Sequence, residues 1–332
     1  MMEKLTLSFA CADYDRIRAL SIGTVKPTGI NLIHLGLPVE EIFWRLTKNQ
    51  EFDVSEMSFS SYLIAKERGL IDYTAIPVFP SRFFRHSCIF VNKHSGIKKP
   101  SDLIGKKVGV PEYQMTAALW IRGFLEHDYG VKARDISWFS GGMEQTGRHE
   151  KIKLDLPSDI TVQPIQEHQT LNNMLEDGEI DAFITARAPS AFLNGSSNIE
   201  RLFPHYVEVE KEYYLRTGYF PIMHLIVIRN AILEKHPWVA NNLITAFEQS
   251  KQLVYDEYNQ TAALSTSLPW QVNEVERTKS IMGEDFWPYG IEKNISTISA
   301  ALQYSREQGL TKTEMSIEDL FVTSTLFSKF KI

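Results

Sequence analysis

The feature that most constrains this chain is the alternation of short apolar runs with stretches of helical spacing, sustained over its first two thirds. Lys4 to Phe9 reads as a strand with Leu5, Leu7 and Phe9 on one side, and Asp13 can cap a helix carrying Ile17 and Leu20. Pro38 suits a first helical turn, followed by Val39, Ile42, Phe43 and Leu46 at helical spacing. A short strand at 52–54 leads into SEMSFSSYLIAKERGL, read as a helix with serines at its start; 73–79 and 87–92 read as strands. Beyond a polar linker at 96–106 come a strand ending at Val110, a helix with Ala117, Ile121, Phe124 and Leu125 on one face, and strands near 135–139 and 160–165. A helix stopped by Gly178, a strand at 181–186 and a buried strand at 223–230 follow, then helices at 238–258, 295–307 and 317–327.

Such alternation predicts an α/β fold whose mostly parallel sheets are covered on both faces. At 332 residues the chain is long for one core. The strands at 87–92 and 223–229 flank a central block of domain size, so they read as two crossings between lobes. Lobe one is then 1–90 plus 223–332 and lobe two 91–222. Loops at the carboxyl ends of strands from both lobes would face a ligand cleft between them.

Composition narrows the partners. With 43% hydrophobic and 23% charged residues the chain is ordinarily globular, and its net charge of −6 argues against nucleic acid. Two cysteines, Cys11 and Cys88, make no disulfide framework and no zinc spacing. No secretory signal and no membrane-length apolar run is present, so a cytoplasmic location with no membrane partner is expected. The helical last third could supply a homodimer surface.

Candidate site residues come from loops expected in the cleft. ACADYDRIR offers Asp13, Tyr14 and Arg16, although capping and solvation explain them as well. Ser58 and Ser60, and Gln114 with Thr116, stand where helices open, and helix starts hold carboxylates; plain N-capping accounts for them equally. In PSRFFRHS, Arg82 and Arg85 can each grip a carboxylate with two parallel hydrogen bonds, but on an extended chain they point to opposite sides. Arg82 would share a face with Phe84 and His86. Arg187 follows a strand end, and His224 sits on an apolar strand, where a histidine is more often a bonded core residue than a catalyst. Dinucleotide, P-loop, zincin and serine-hydrolase motifs are absent, and neither a metal nor an organic cofactor is expected.

Taken together, YDRIRAL, FDVSEMSFSSYL, IPVFPSRFFRHS, GKKVGVPEYQMTAALWIRGFL, GYFPIMH, HPWV and DFWPYGIEKN resemble the 4,5-dihydroxyphthalate decarboxylase family. They run in order from residue 14 to residue 294, and SRFFRHS and FPIMH are the most particular. The resemblance implies a two-lobe fold similar to type II periplasmic binding proteins, and a carboxy-lyase acting on a small aromatic carboxylate. Such a ring loses carbon dioxide once its phenol is deprotonated and the carbon bearing the para carboxylate is protonated. The chemistry calls for a cation on the spectator carboxylate, an acid active near neutrality and a partner for the phenol. Arginine suits the first and His86 or His224 the second; Glu56, Asp13 or the other histidine could be the third. Phe84 and Trp287 could sandwich the ring. The alternatives are a solute-binding protein or sensor, or another cytosolic enzyme on this scaffold of the thiamine-pyrimidine or menaquinone-precursor type.

Overall fold

A computed structural model describes residues 4–326. The first sheet starts with β1 (Leu5–Cys11), β2 (Ile30–Gly36), β3 (Val54–Ser58) and β4 (Tyr73–Arg82). The chain then crosses to a second sheet of β5 (Ile89–Asn92), β6 (Lys107–Val110), β7 (Ser137–Ser140), β8 (Val162–Pro164), β9 (Ala182–Ile184) and β10 (Ile199–Arg201). It returns through β11 (Ile222–Arg229). The spatial orders are β2-β1-β3-β11-β4 and β10-β5-β9-β6-β7-β8, giving two α/β lobes.

Helices α1 (Asp15–Ser21), α2 (Val39–Asn49) and α3 (Phe59–Glu67) connect strands of the first sheet. The second carries α4 (Thr116–Tyr129), α5 (Leu171–Glu176), α6 (Ser190–Leu193) and α7 (Tyr206–Thr217). After β11 come α8 (Asn230–Lys235), α9 (Val239–Tyr258), α10 (Gln271–Met282), α11 (Ile295–Glu307) and α12 (Ile317–Leu320). None of the described helices is long and apolar enough to cross a membrane.

Both sheets are mixed. β11 runs antiparallel to β3 and β4, and β5 runs antiparallel to β9 and β10. These are the first strands laid down after each crossing, so each enters its sheet against the direction set by the local strand–helix–strand units. The two crossings lie side by side: Ile222 pairs with Arg82, and the Phe83 amide donates to the Pro221 carbonyl at 3.1 Å.

Several local expectations change. Glu56 lies in the buried strand β3, where a helix had been read, and α3 starts only at Phe59. Tyr14, not Asp13, occupies the position before α1, with no side-chain cap. Edge strand β2 has no clear alternation in the sequence because only Ile30 of its residues is fully buried. The last expected helix stops at Leu320 because Val322 turns to donate its amide to Ala75 of β4; Phe327 lies outside the described residues.

The C-terminal helices tie the lobes together. A side chain at Gly123 of α4 would meet the Tyr304 ring of α11 at 2.1 Å, so only glycine permits this approach. Beside it the buried Arg122 donates to Gln308 at 2.8 Å and to the Tyr113 carbonyl at 2.7 Å. With α4 held this way, its first turn meets that of α3: the Ser58 and Thr116 hydroxyls lie 2.9 Å apart, and the Ser60 amide donates to Thr116 Oγ1 at 3.0 Å.

Candidate active site

The strand register places the central pair. Glu56 on β3 stands opposite Ile226 of β11, and His224 stands opposite Ser58, two residues along on the same face. Glu56 and His224 are therefore diagonal cross-strand neighbours, within reach of long side chains. Register shifts on either side of His224 in its pairing with β4 help to aim the ring. The resulting Nδ1···Oε1 distance is 2.6 Å.

Glu56 is fully buried, and a lone carboxylate there would be costly. Three further groups meet it: the Tyr14 hydroxyl at 2.7 Å, the Ala12 amide at 3.0 Å and the Cys11 thiol at 3.5 Å. Burial pushes its pKa up, but the hydrogen bond and charge of His224, with the Ala12 and Tyr14 bonds, outweigh burial and leave it below the usual carboxylate value. The Tyr14 phenol is pushed upward by burial and by the Glu56 charge, so it remains a donor. Glu56 thus orients the imidazole through Nδ1, and among the described residues nothing bonds Nε2. The His224 ring meets the edge of Phe43, with centroids 4.8 Å apart.

His224 lines a cavity of about 70 Å³ between the lobes, together with Ser58, Ser61, Arg85, Met115 and Thr116. Arg85 is buried and its hydrogen-bond partners are uncharged: Met223 Sδ at 3.2 Å, Cys88 Sγ at 3.7 Å and the Ala186 carbonyl at 3.1 Å. The same cavity receives Glu112, Arg148 and Lys151, which sequence reading did not single out. Arg148 donates twice to Glu112 Oε1, at 2.9 and 2.7 Å, and Lys151 bonds the same oxygen. The signal was weak because 141–159 has no regular secondary structure, so no periodicity marks Arg148 and Lys151 as inward.

Other expected residues lie elsewhere. His86 is 1% exposed, stacked on Phe124 at 4.0 Å and edged by Phe203 and Tyr213. Among the described residues neither of its ring nitrogens has a hydrogen-bond partner, and burial with the Arg216 charge lowers its pKa to about 4. A one-turn helix at 86–88 rotates it off the extended face assumed for it, so it lies in an aromatic pocket instead of the cleft. Arg82 is likewise interior, donating to the carbonyls of Phe220 at 2.9 Å and Pro288 at 2.8 Å, and to the Asn294 side chain. Those acceptors hold the crossings to the C-terminal segment and leave Arg82 away from the cavity.

Arg16 is sandwiched between Tyr14 and Trp287, 4.2 and 4.1 Å from the ring centroids, and lines a different cavity of about 310 Å³ with Phe84 and Trp287. That cavity is larger than the cleft, but the buried carboxylate–imidazole pair does not open on it. Gln114 is fully buried and bonds Glu150 and the Ile152 carbonyl. Ser60 is also buried, its hydroxyl without a partner among the described residues. Arg187 is exposed and pairs at 2.7 Å with Glu40, which lines the cleft from the other lobe. Asp13 is exposed beside His34.

Comparison with known proteins identifies the family. A curated 4,5-dihydroxyphthalate decarboxylase from Comamonas testosteroni is 41% identical over 331 residues, covering all of both chains. The chain belongs to the 4,5-dihydroxyphthalate decarboxylase family. A second member, from Pseudomonas putida, is 47% identical over 203 residues, covering 61% of this chain and 79% of its own. Residues 40–155 match the family described as ABC transporter, phosphonate, periplasmic substrate-binding protein.

Solved structures share the fold at low identity. The periplasmic aliphatic sulphonate binding protein SsuA from Escherichia coli aligns with a TM-score of 0.54 at 14% identity, over 99% of this chain and all of its own. A mutant of DSZB in complex with biphenyl-2-sulfinic acid aligns with a TM-score of 0.54 at 12% identity, over 97% of this chain and 99% of its own. The two-lobe binding-protein architecture is therefore that of this family.

Proposed function

We propose that the chain decarboxylates 4,5-dihydroxyphthalate to 3,4-dihydroxybenzoate and carbon dioxide, with His224 and Glu56 as the proton-handling pair. The observation that carries the role assignment is the buried Glu56–His224 hydrogen bond of 2.6 Å with the imidazole opening on the interlobe cavity. A solute-binding protein needs cations in its cleft but has no use for a buried carboxylate that polarises an imidazole.

The substrate is a dianion that also carries hydroxyls, each para to a carboxylate. Arg85, which lines the cavity and has no ionic partner among the described residues, supplies the positive charge that holds its carboxylates. Glu56 holds the Nδ1 side of the His224 ring, and a proton carried on Nε2 is the acid. As the para phenol lends its proton to water, to be returned to the phenolate at the end, ring density moves to the carbon bearing the departing carboxylate. Nε2 protonates that carbon. The carbon–carboxylate bond then breaks, its electron pair restores aromaticity, and carbon dioxide leaves; one proton is consumed in total. No oxidant or reductant is needed.

A cavity of about 70 Å³ holds roughly two waters, not a substituted ring. The ligand would therefore enter through parted lobes, with the Arg187–Glu40 contact among those released.

The direct test incubates purified protein with 4,5-dihydroxyphthalate and follows 3,4-dihydroxybenzoate and carbon dioxide by chromatography. Tight binding without turnover would sink the decarboxylase reading and favour the binder.

A further inference from the structure

Glu112 combines two features that the proton-transfer scheme leaves unused. It is 1% exposed, yet it lines the same cavity as His224 and Arg85. Its two oxygens are treated differently. Oε1 accepts from both Arg148 and Lys151, whereas Oε2 is buried with no hydrogen-bond partner among the described residues. A buried carboxylate oxygen without a donor is costly, so the arrangement is complete only when something in the cavity donates to it.

The chemistry of the ligand narrows the donor. With both carboxylates ionised, 4,5-dihydroxyphthalate has only its hydroxyls as hydrogen-bond donors. A third carboxylate in the cleft would repel a dianion, but Arg148 and Lys151 neutralise it and fix its position. We infer that Glu112 is the specificity residue for the hydroxyl edge of the ring, accepting from the catechol pair through Oε2. The inference rests on the function proposed above and adds the substrate feature being read. An aromatic diacid without hydroxyls leaves Oε2 unpaired, and one bearing an acceptor there meets it lone pair to lone pair. Rejection of such analogues comes from the unpaired carboxylate and requires no steric block.

The test separates hydroxyl reading from carboxylate holding, using two ligands that do not turn over. Phthalate has both carboxylates and no hydroxyl; 3,4-dihydroxybenzoate has both hydroxyls and one carboxylate. Calorimetry on wild type and Glu112→Gln should show 3,4-dihydroxybenzoate weakened roughly 10- to 100-fold in the variant. Phthalate should be unchanged or tighter, because a negative charge has been removed. Equal loss for both ligands, or none for either, overturns the inference. If the variant does not fold, wild type alone decides: 3,4-dimethoxybenzoate should bind at least about 10-fold more weakly than 3,4-dihydroxybenzoate, and equal binding overturns the proposal. Wild type that turns over 4,5-dihydroxyphthalate while failing these arms loses only Glu112's role. Wild type that neither turns it over nor binds either probe loses the proposed function as well.

Discussion

His224 and His86 stand near the two crossings between lobes, and their surroundings differ in every respect that matters for proton transfer. His224 has a buried carboxylate on one nitrogen and the cleft on the other side. His86 has aromatic rings around it, no hydrogen-bond partner among the described residues and a pKa lowered to about 4. One has a carboxylate behind it and the cavity in front; the other is shut away from both. An imidazole near a cleft is thus not yet an acid, and the group behind it decides.

The largest expected effect is on His224. His224→Gln should lower turnover roughly 10²- to 10⁴-fold while 3,4-dihydroxybenzoate still binds, as measured by product chromatography and calorimetry. Glu56→Gln should lose a comparable share, and the double variant should be little worse than either single one if the two act as a unit. Multiplying losses would break the pairing of the two roles.

His86→Phe should leave turnover within a few-fold of wild type, since the site lies among aromatic rings. Its signature is in stability. The folded pKa of about 4 lies below the ordinary value of 6.5, so the unfolded chain binds the proton first. His86 therefore supports the fold fully above pH 6.5, and that support is lost as pH falls toward 4, by about 3 kcal/mol in all. Denaturant melts from pH 7 to 4 should show a shallower decline in the variant than in wild type; parallel declines would remove the contrast between the histidines.

The arginines offer a parallel contrast. Arg82→Met strands the acceptors at Phe220, Pro288 and Asn294, and should cost about 1–3 kcal/mol of stability without changing ligand affinity. Arg85→Met should instead weaken phthalate binding, and a reversed outcome would exchange their roles. Smallest of all, Arg187→Ala removes an exposed pair with Glu40 and should change stability by less than about 1 kcal/mol in a thermal melt.

Much of the architecture was legible because strand and helix periods are local. β1, α2, α4, β9 and β11 stand close to where the apolar spacing put them. Edge strands β2 and β10 and the half-exposed helices α7 and α10 were not, since partial burial dilutes the pattern. In the candidate site, Glu56, Arg85 and His224 were picked out by residue type and loop position, while Glu112, Arg148 and Lys151 were overlooked. Those three meet through charge pairing across 36 to 39 positions of chain, and no spacing rule reaches that far.

By itself the sequence determined the α/β class and a short roll of residues able to do acid–base work, because those properties follow from side-chain period and chemistry within a few positions. Only tertiary structure decided which histidine faces a carboxylate and which arginine faces the cleft. Antiparallel insertion of β11 beside β3 sets Glu56 diagonal to His224, and one helical turn after Arg85 buries His86 among rings. Both outcomes depend on register and rotation, and these are fixed by packing between distant parts of the chain.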